Sequence, residues 1–454
     1  MNIYKLVFLL FITNILTFRE KLQIVNLLNP NFRPEETKNL IFGFNHMKHG
    51  ASSPCYGLNE YYADIFDQRW DGFCELTKKG YLQLFKLGKI YQQRYFKLLN
   101  LTNPDVNKVK SFASQANKTL MSSNALFYGI FLNNNTPIEE QLTVPVRNFK
   151  NYVGEELIPI FYYGDKNNCK GWKKMVENNM KKKADEINRI LMRFYNNYKK
   201  VFEAVKFNER MSESKTLLEK VDLLCSSYVS NYYDDRHHKI RFFKDLNFTE
   251  EKYYDLYYDC IDITLYRYMN IYYGDDAKKV PSIILSDLIK DMLFYMDEII
   301  KNPESTKFVS YIGHDSTIAG LQVILEKGFN VSPKLMNFAS NQLFLLYKES
   351  DNETEIEKNY VVKYFYNDQL SMIVDYAEFK HNLLKLLNTQ NDLQFFCEGL
   401  KPYDYLVLCL SSGIIILLFG IISVCIYHRN LLFNKKIYMS LKEESKEKSV
   451  DIKN

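Results

Sequence analysis

The sequence predicts an α/β fold: a mainly parallel sheet flanked by helices, with a helical cap subdomain and one C-terminal transmembrane helix. Three observations lead there. Two short apolar runs each end in a histidine-bearing loop, "LIFGFNHMKHGASSP" and "FVSYIGHDST". Between them, residues 171–298 carry Lys, Glu, Tyr and long apolar side chains at helical spacing, with few Gly or Pro. Near the end, Tyr405 to Tyr427 is apolar throughout and carries no charge.

Taken in order, the chain opens with "MNIYKLVFLLFITNILTF", one lysine before an apolar run from Leu6 to Phe18. That run is short for a membrane span and predicts a secretory signal peptide over residues 1–18. An ectodomain over 19–402 follows. Residues 39–44 predict a buried strand, because a short apolar run there gives way to a Gly- and Ser-containing loop. Cys74 to Leu99 predicts a helix, with Leu76, Leu82, Leu84, Phe85, Leu87, Ile90, Tyr91 and Tyr95 at mostly helical spacing. "KVKSFAS" predicts a second strand, and "NKTLMSSNALFYGIF" a helix capped by Asn117. The helical insertion over about 171–298 is expected to close with "PSIILSDLIKDMLFYMDEII". A strand from Phe308 to Ile312, a loop from Gly313 to Asp315 and a helix from Thr317 to Lys327 capped by Ser316 come next. "NQLFLLYKE" and "NYVVKYFYND" predict two strands joined by an acidic hairpin loop.

The apolar segment 405–427 is long enough to cross a bilayer, and His428, Arg429 and the later lysines place the tail (428–454) in the cytosol. The topology expected is single-pass type I, on a lysosomal or endosomal membrane or at the cell surface. "YMSL" at Tyr438 to Leu441 is similar to a tyrosine-based sorting signal. Cys55, Cys74, Cys169, Cys225, Cys260 and Cys397 lie in the ectodomain, an even number that suits disulfides in an oxidising compartment with the pairing left open. Glycosylation sequons stand at Asn100, Asn117, Asn134, Asn247, Asn330 and Asn352. A net charge of +5 over 454 residues, with no basic block bearing interleaved aromatics, argues against a nucleic-acid partner.

The two loops carry the chemistry. In open α/β sheets, loops at the carboxyl ends of neighbouring strands meet in a crevice where ligands bind. A strand, "GHDS" and a helix in succession aim backbone N–H groups and a helix dipole at one spot, which suits an anion. His46 stands three residues before His49, yet no third ligand accompanies the pair, so no metal site is predicted and His46 reads as a strand-end or pocket-rim residue. His237, His238, His381 and His428 receive no chemistry.

At these residues the sequence resembles the histidine acid phosphatases. Their signature is an Arg-His-Gly-x-Arg-x-Pro loop, a later Arg-Thr at a helix start and a His-Asp after a late strand. Here the three stand as "KHGASSP", "SQANKTLMSS" and "YIGHDSTIAGL". The segment "FCELTKKGYLQLFKLGKIYQQRY" and the aromatic strand "YVVKYFYND" are also similar, so the likeness runs from about Asn39 to Asp368. It implies a phosphoglycerate-mutase-like sheet and membrane-anchored acid hydrolysis of phosphate monoesters without a cofactor. His49 would be the nucleophile and carry a phosphohistidine. Gly50 would let the backbone approach the phosphate, His314 would hydrogen-bond a phosphoryl oxygen, and Asp315 would protonate the leaving alkoxide. Fixed cations would serve in place of a metal.

This chain departs from the pattern in those cations. Where the family has three arginines, it has Lys48, Ser52 and Lys118. Lysine keeps the charge and loses the planar fork that holds two oxygens at once; serine supplies a donor and no charge. Each transition-state donor is worth ~3 kcal/mol, so losing one costs roughly 10²- to 10³-fold in rate. The rival expectations are therefore a weak or inactive pseudophosphatase that binds a phosphorylated ligand or protein partner, and a surface receptor or adhesion protein that keeps only the fold. A homodimer is compatible with either.

Overall fold

The computed structural model describes residues 39–55, 72, 74–101, 105, 107–114, 116–132, 146–148, 170–204, 216–234, 246–273, 285–349, 359–387 and 417–436. The leader, Cys169, Cys397, the sequons at Asn134 and Asn352, His237, His238 and the tail motif lie outside the described residues. The chain divides into two units, 1–389 and 390–454.

The first unit is built on a seven-stranded sheet. Its strands in chain order are β1 (Leu40–Lys48), β2 (Val109–Ala113), β3 (Val146–Asn148), β4 (Phe308–Gly313), β5 (Asn341–Lys348), β6 (Tyr360–Tyr366) and β7 (Gln369–Asp375). They lie side by side as β3-β2-β4-β1-β5-β6-β7. The first four are parallel, and β5, β6 and β7 add on antiparallel, so the sheet is mixed. The sequence contained a signal for β7: Asn367 and Asp368 both have positive φ, 46° and 66°, and make the two-residue turn that favours such residues.

Strand β1 is central, paired with β4 on one edge and β5 on the other. It runs through Lys48, four residues past the predicted end, because paired edges and buried partners satisfy its polar residues Asn45 and His46. Alternate residues face opposite layers. One layer is α1 (Lys78–Tyr91) with α2 (Asn117–Phe131); Leu84, Leu87, Leu126 and Phe127 pack there on Met47, Phe308, Ile312 and Leu345.

Between the two layers in sequence come α3 (Lys170–Lys182), α4 (Ala184–Asn197), α5 (Lys199–Ala204), α6 (Leu217–Tyr233) and α7 (Glu250–Tyr266). Helices α6 and α7 are joined by the Cys225–Cys260 disulfide. The other layer is α8 (Ser286–Lys301), α9 (Asp315–Phe329) and α10 (Tyr376–Leu386). There Tyr311 donates to Asp291, Tyr376 donates to Asp297, and Phe344 packs on Phe379. Helix α8, expected to close the helical insertion, thus belongs to a sheet layer. Its amphipathic pattern is the same for either neighbour.

Two predicted caps are corrected. Helix α2 begins at Asn117 with Ala116 as the cap residue, so the Asn117 side chain caps nothing. Helix α9 begins at Asp315 with His314 at the cap, two residues before Ser316 allows. The Thr317 hydroxyl accepts the His314 N–H at 3.3 Å and draws the helix start back to it.

In the second unit one helix is described, α11 (Leu417–Lys436). Its 20 residues are exposed and are long and apolar enough to cross a membrane. It continues through the basic flank that was expected to follow the span; 405–416 lies outside the described residues.

Candidate active site

His49 follows β1 directly, His314 follows β4, and Ser114 with Lys118 follow β2. These strands are neighbours and parallel, so all four residues stand at the same end of the sheet. The His49 and His314 rings are 5.3 Å apart, centroid to centroid, although 265 residues separate them in sequence. Backbone bonds hold the junction: His49 N–H donates to Gly313 O at 3.1 Å, and Ser114 N–H to Ile312 O at 3.2 Å.

The loop after β1 is clamped to the start of α1. Thr77 N–H donates to Ala51 O at 2.9 Å, Ser53 N–H to Glu75 O at 2.8 Å, and the Gln83 amide oxygen accepts from Ala51 N–H at 3.2 Å. A disulfide joins Cys55 to Cys74. Ser52 is buried and bridges Leu76. A Cβ on Gly50 would lie 2.5 Å from the Gly80 carbonyl oxygen, so only glycine lets this loop sit against α1. Its N–H donates to Ser122 Oγ at 3.0 Å. The requirement for glycine here is therefore one of packing against α1.

His49 Nδ1 lies 2.8 Å from Gly50 O, and a carbonyl only accepts, so Nδ1 carries the proton and Nε2 the lone pair. Burial, then the charges of Lys118, His314 and Lys48, hold its pKa well below the usual histidine value. His314 is lowered by burial first and the same two lysines next. Its Nε2 lies 2.8 Å from Ser114 Oγ, which lies 2.8 Å from Thr119 Oγ1. Lys48 is buried; its ammonium is 2.5 Å from Asp315 Oδ1, an ion pair without the alignment of a hydrogen bond, and 4.5 Å above the Phe338 ring. Lys118 is buried with Nζ 2.9 Å from Cys55 Sγ and 3.1 Å from Cys74 Sγ. Burial is the main cause that lowers its pKa to about 8, and Lys48 adds to it; Asp315 and Glu75 oppose them.

The fold thus gathers His49, His314, Asp315, Lys48, Gly50, Ser52 and Lys118 in one region. It also brings in residues that sequence reasoning missed. Ser114 holds the His314 ring, and Phe338 packs against both Lys48 and His49. Gln83 ties the first loop to Phe338 O at 3.0 Å and to Tyr233 of α6 at 2.6 Å. Ser114 lies within the quoted segment that leads to Lys118; nothing local marks Phe338 or Gln83. His46 is not on the rim. It is fully buried within β1, Nδ1 2.8 Å from Gln342 Oε1 and Nε2 3.1 Å from Thr317 Oγ1, and burial lowers its pKa to about 4. Among the described residues, no group of three or more His, Cys, Asp or Glu is arranged to hold a metal.

Comparison with known proteins gives concordant results. The model of the histidine phosphatase superfamily (branch 2) matches residues 34–367. Lysosomal acid phosphatase of Pongo abelii is 34% identical over 100 residues, which span 22% of this chain and 23% of that protein's length. Phytase from Citrobacter braakii has a similar fold, with a TM-score of 0.53 and 12% identity over 78% of this chain and 99% of that one. Klebsiella sp ASR1 phytase matches at a TM-score of 0.53 and 13% identity, over 78% of this chain and 95% of the other. At such identities the likeness is one of fold.

Proposed function

The chain belongs to the histidine phosphatase superfamily, branch 2, and on that premise we propose that it hydrolyses phosphate monoesters through a phosphohistidine on His49. The observation that carries this is the pairing of His49 and His314 at 5.3 Å, with Nδ1 of His49 held by Gly50 O so that Nε2 is the basic nitrogen. In the first step Nε2 attacks phosphorus and the bond to the leaving oxygen breaks, with Asp315 supplying the proton. In the second, water attacks the phosphohistidine, Asp315 takes its proton, and inorganic phosphate leaves. Lys48, Lys118 and His314 face the phosphoryl oxygens, and Ser52 and the Gly50 turn shape the loop around them. A phosphate that attracts Lys48 also loosens its hold on Asp315. The depressed pKa of His49 keeps the nucleophile unprotonated in acid.

The setting we propose is a membrane-anchored ectodomain, lumenal or extracellular, with α11 as the span. Support comes from its length and apolar surface and from the partial match to a lysosomal acid phosphatase. Helices α3 to α7, between β3 and α8, are proposed as a cap that governs access. Tyr233 of α6 against Phe338, and Tyr257 of α7 donating to Asn337 at 2.7 Å, tie two of them to the site region.

The test is hydrolysis of an aryl phosphate near pH 5 by the full-length chain and by His49→Ala. Activity lost in the variant, and an alkali-stable phosphoryl label on the wild type alone, are expected. Equal rates in both proteins refute the proposal. One observation favours a second reading, a phosphate-binding protein that turns over little: three arginine positions hold two lysines and a serine, and Lys48 already pairs with Asp315. It predicts saturable binding of inorganic phosphate with no label on His49.

A further inference from the structure

His46 has no part in the mechanism above, yet it is fully buried in the central strand, where Phe42, Phe44 and Met47 show that an apolar residue would fit. Burying a ring with two polar nitrogens is costly unless both are satisfied. Here both are, and the partners point to a purpose. The Gln342 amide nitrogen donates to Ile318 O at 3.3 Å and to Tyr364 Oη at 3.4 Å, so Gln342 Oε1 is the end that faces the ring. It accepts from His46 Nδ1–H at 2.8 Å, which leaves the lone pair on Nε2. That lone pair meets Thr317 Oγ1 at 3.1 Å. Thr317 is also the hydroxyl that accepts the His314 N–H and lies 3.0 Å from His314 O. A Cβ at position 313 would come 2.6 Å from Thr317 Oγ1, so Gly313 leaves room for the hydroxyl.

We propose that His46 is a positioning residue: through Thr317 it fixes the His314-Asp315 turn, and with it the carboxyl that protonates the leaving group. Strand β1 then carries the nucleophile at its end and, three residues earlier, the group that aligns the acid on the neighbouring loop. Gln342 on β5 sets which nitrogen does so. The inference rests on the phosphatase reading and adds a role to a residue outside the reacting groups.

The test separates positioning from general damage by leaving group. An alkyl phosphate such as β-glycerophosphate needs a proton on its departing oxygen; p-nitrophenyl phosphate departs as a stable anion. General acid catalysis is worth about 10²- to 10⁴-fold, and a displacement of ~1 Å forfeits much of it. In the full-length protein, His46→Val is expected to lower kcat/KM for β-glycerophosphate about 10- to 100-fold and for p-nitrophenyl phosphate less than about threefold. His46→Gln, which keeps a donor and an acceptor, restores most of the ratio. Thr317→Val acts at the other end of the same link and gives the same selective loss, so it decides the matter if His46→Val does not fold. An unchanged ratio between the two esters in the folded variants overturns the proposal, because a structural defect lowers both rates alike. Hydrolysis of neither ester by the wild type instead removes the phosphatase reading itself, and this inference with it.

Discussion

Lys118 shows how one side chain's environment sets a measurable property. Its amine is buried against a disulfide with another lysine near, and its pKa falls to about 8. A protonated amine attracts phosphate and a neutral one does not, so kcat/KM is expected to decline as pH rises through about 8. Arginine stays charged in that range, so Lys118→Arg removes this limb of the pH profile while the acid side is unchanged. On the proposed mechanism His49 works in the opposite sense: its neutral form would attack, and its lowered pKa is expected to preserve activity below the range where an ordinary histidine protonates. Restoring arginine at 48, 52 and 118 together should raise kcat/KM by at least about 10²-fold if each lost donor is worth its usual share. Steady-state kinetics at pH 5 check this. Lys48, Ser52 and Lys118 were all legible as departures from a family pattern. The surroundings of the two lysines were not, because the disulfide sulfurs reach Lys118, and Phe338 and Asp315 reach Lys48, from other segments.

Among the elements, the crossing of α1 and α2 matters most to the site, since one clamps the His49 loop and the other presents Lys118. The two helices touch backbone to backbone. A Cβ on Gly88 would lie 2.1 Å from Leu126 O, and one on Gly129 would lie 2.1 Å from Phe85 O. Carbonyls cannot swing aside as side chains do, so the helices themselves would have to part. Gly88→Ala or Gly129→Ala is expected to cost about 3 kcal/mol of stability, read as a lower Tm, with activity falling alongside. Helix periodicity identified α1 and a capping residue type identified α2, but neither gave the true cap or the crossing distance. Asn117 has the residue type of a cap and lies one position inside the helix, while His314 caps α9 through a threonine hydroxyl three residues on. The start of a helix depends on which tertiary partner takes its first N–H groups, and local sequence states that poorly.

For the molecule as a whole, the sheet is a parallel half that bears the candidate site and an antiparallel half added to its edge. Strands β2, β4 and β1 lie adjacent, which is why three remote segments meet at one end of the sheet. The proposed anchor makes its own prediction. The full chain should pellet with membranes and resist extraction at alkaline pH, and a chain from Arg19 to Lys401 should remain soluble with its activity intact. Release of the full chain by carbonate overturns α11 as a span.

The sequence by itself determined what contiguous residues encode: the two histidine loops at strand ends, the apolar segment near the C-terminus, the helical middle and the lysines in place of arginines. Tertiary structure alone decided that the β5–β6 hairpin joins β1 antiparallel, that α8 covers the sheet and that Lys48 pairs with Asp315. It also decided that His46 is a fully partnered core residue rather than a rim histidine. The physical reason is common to these: composition and period report how much surface a segment must bury, whereas the groups that satisfy a buried nitrogen or ammonium come from chain hundreds of residues away.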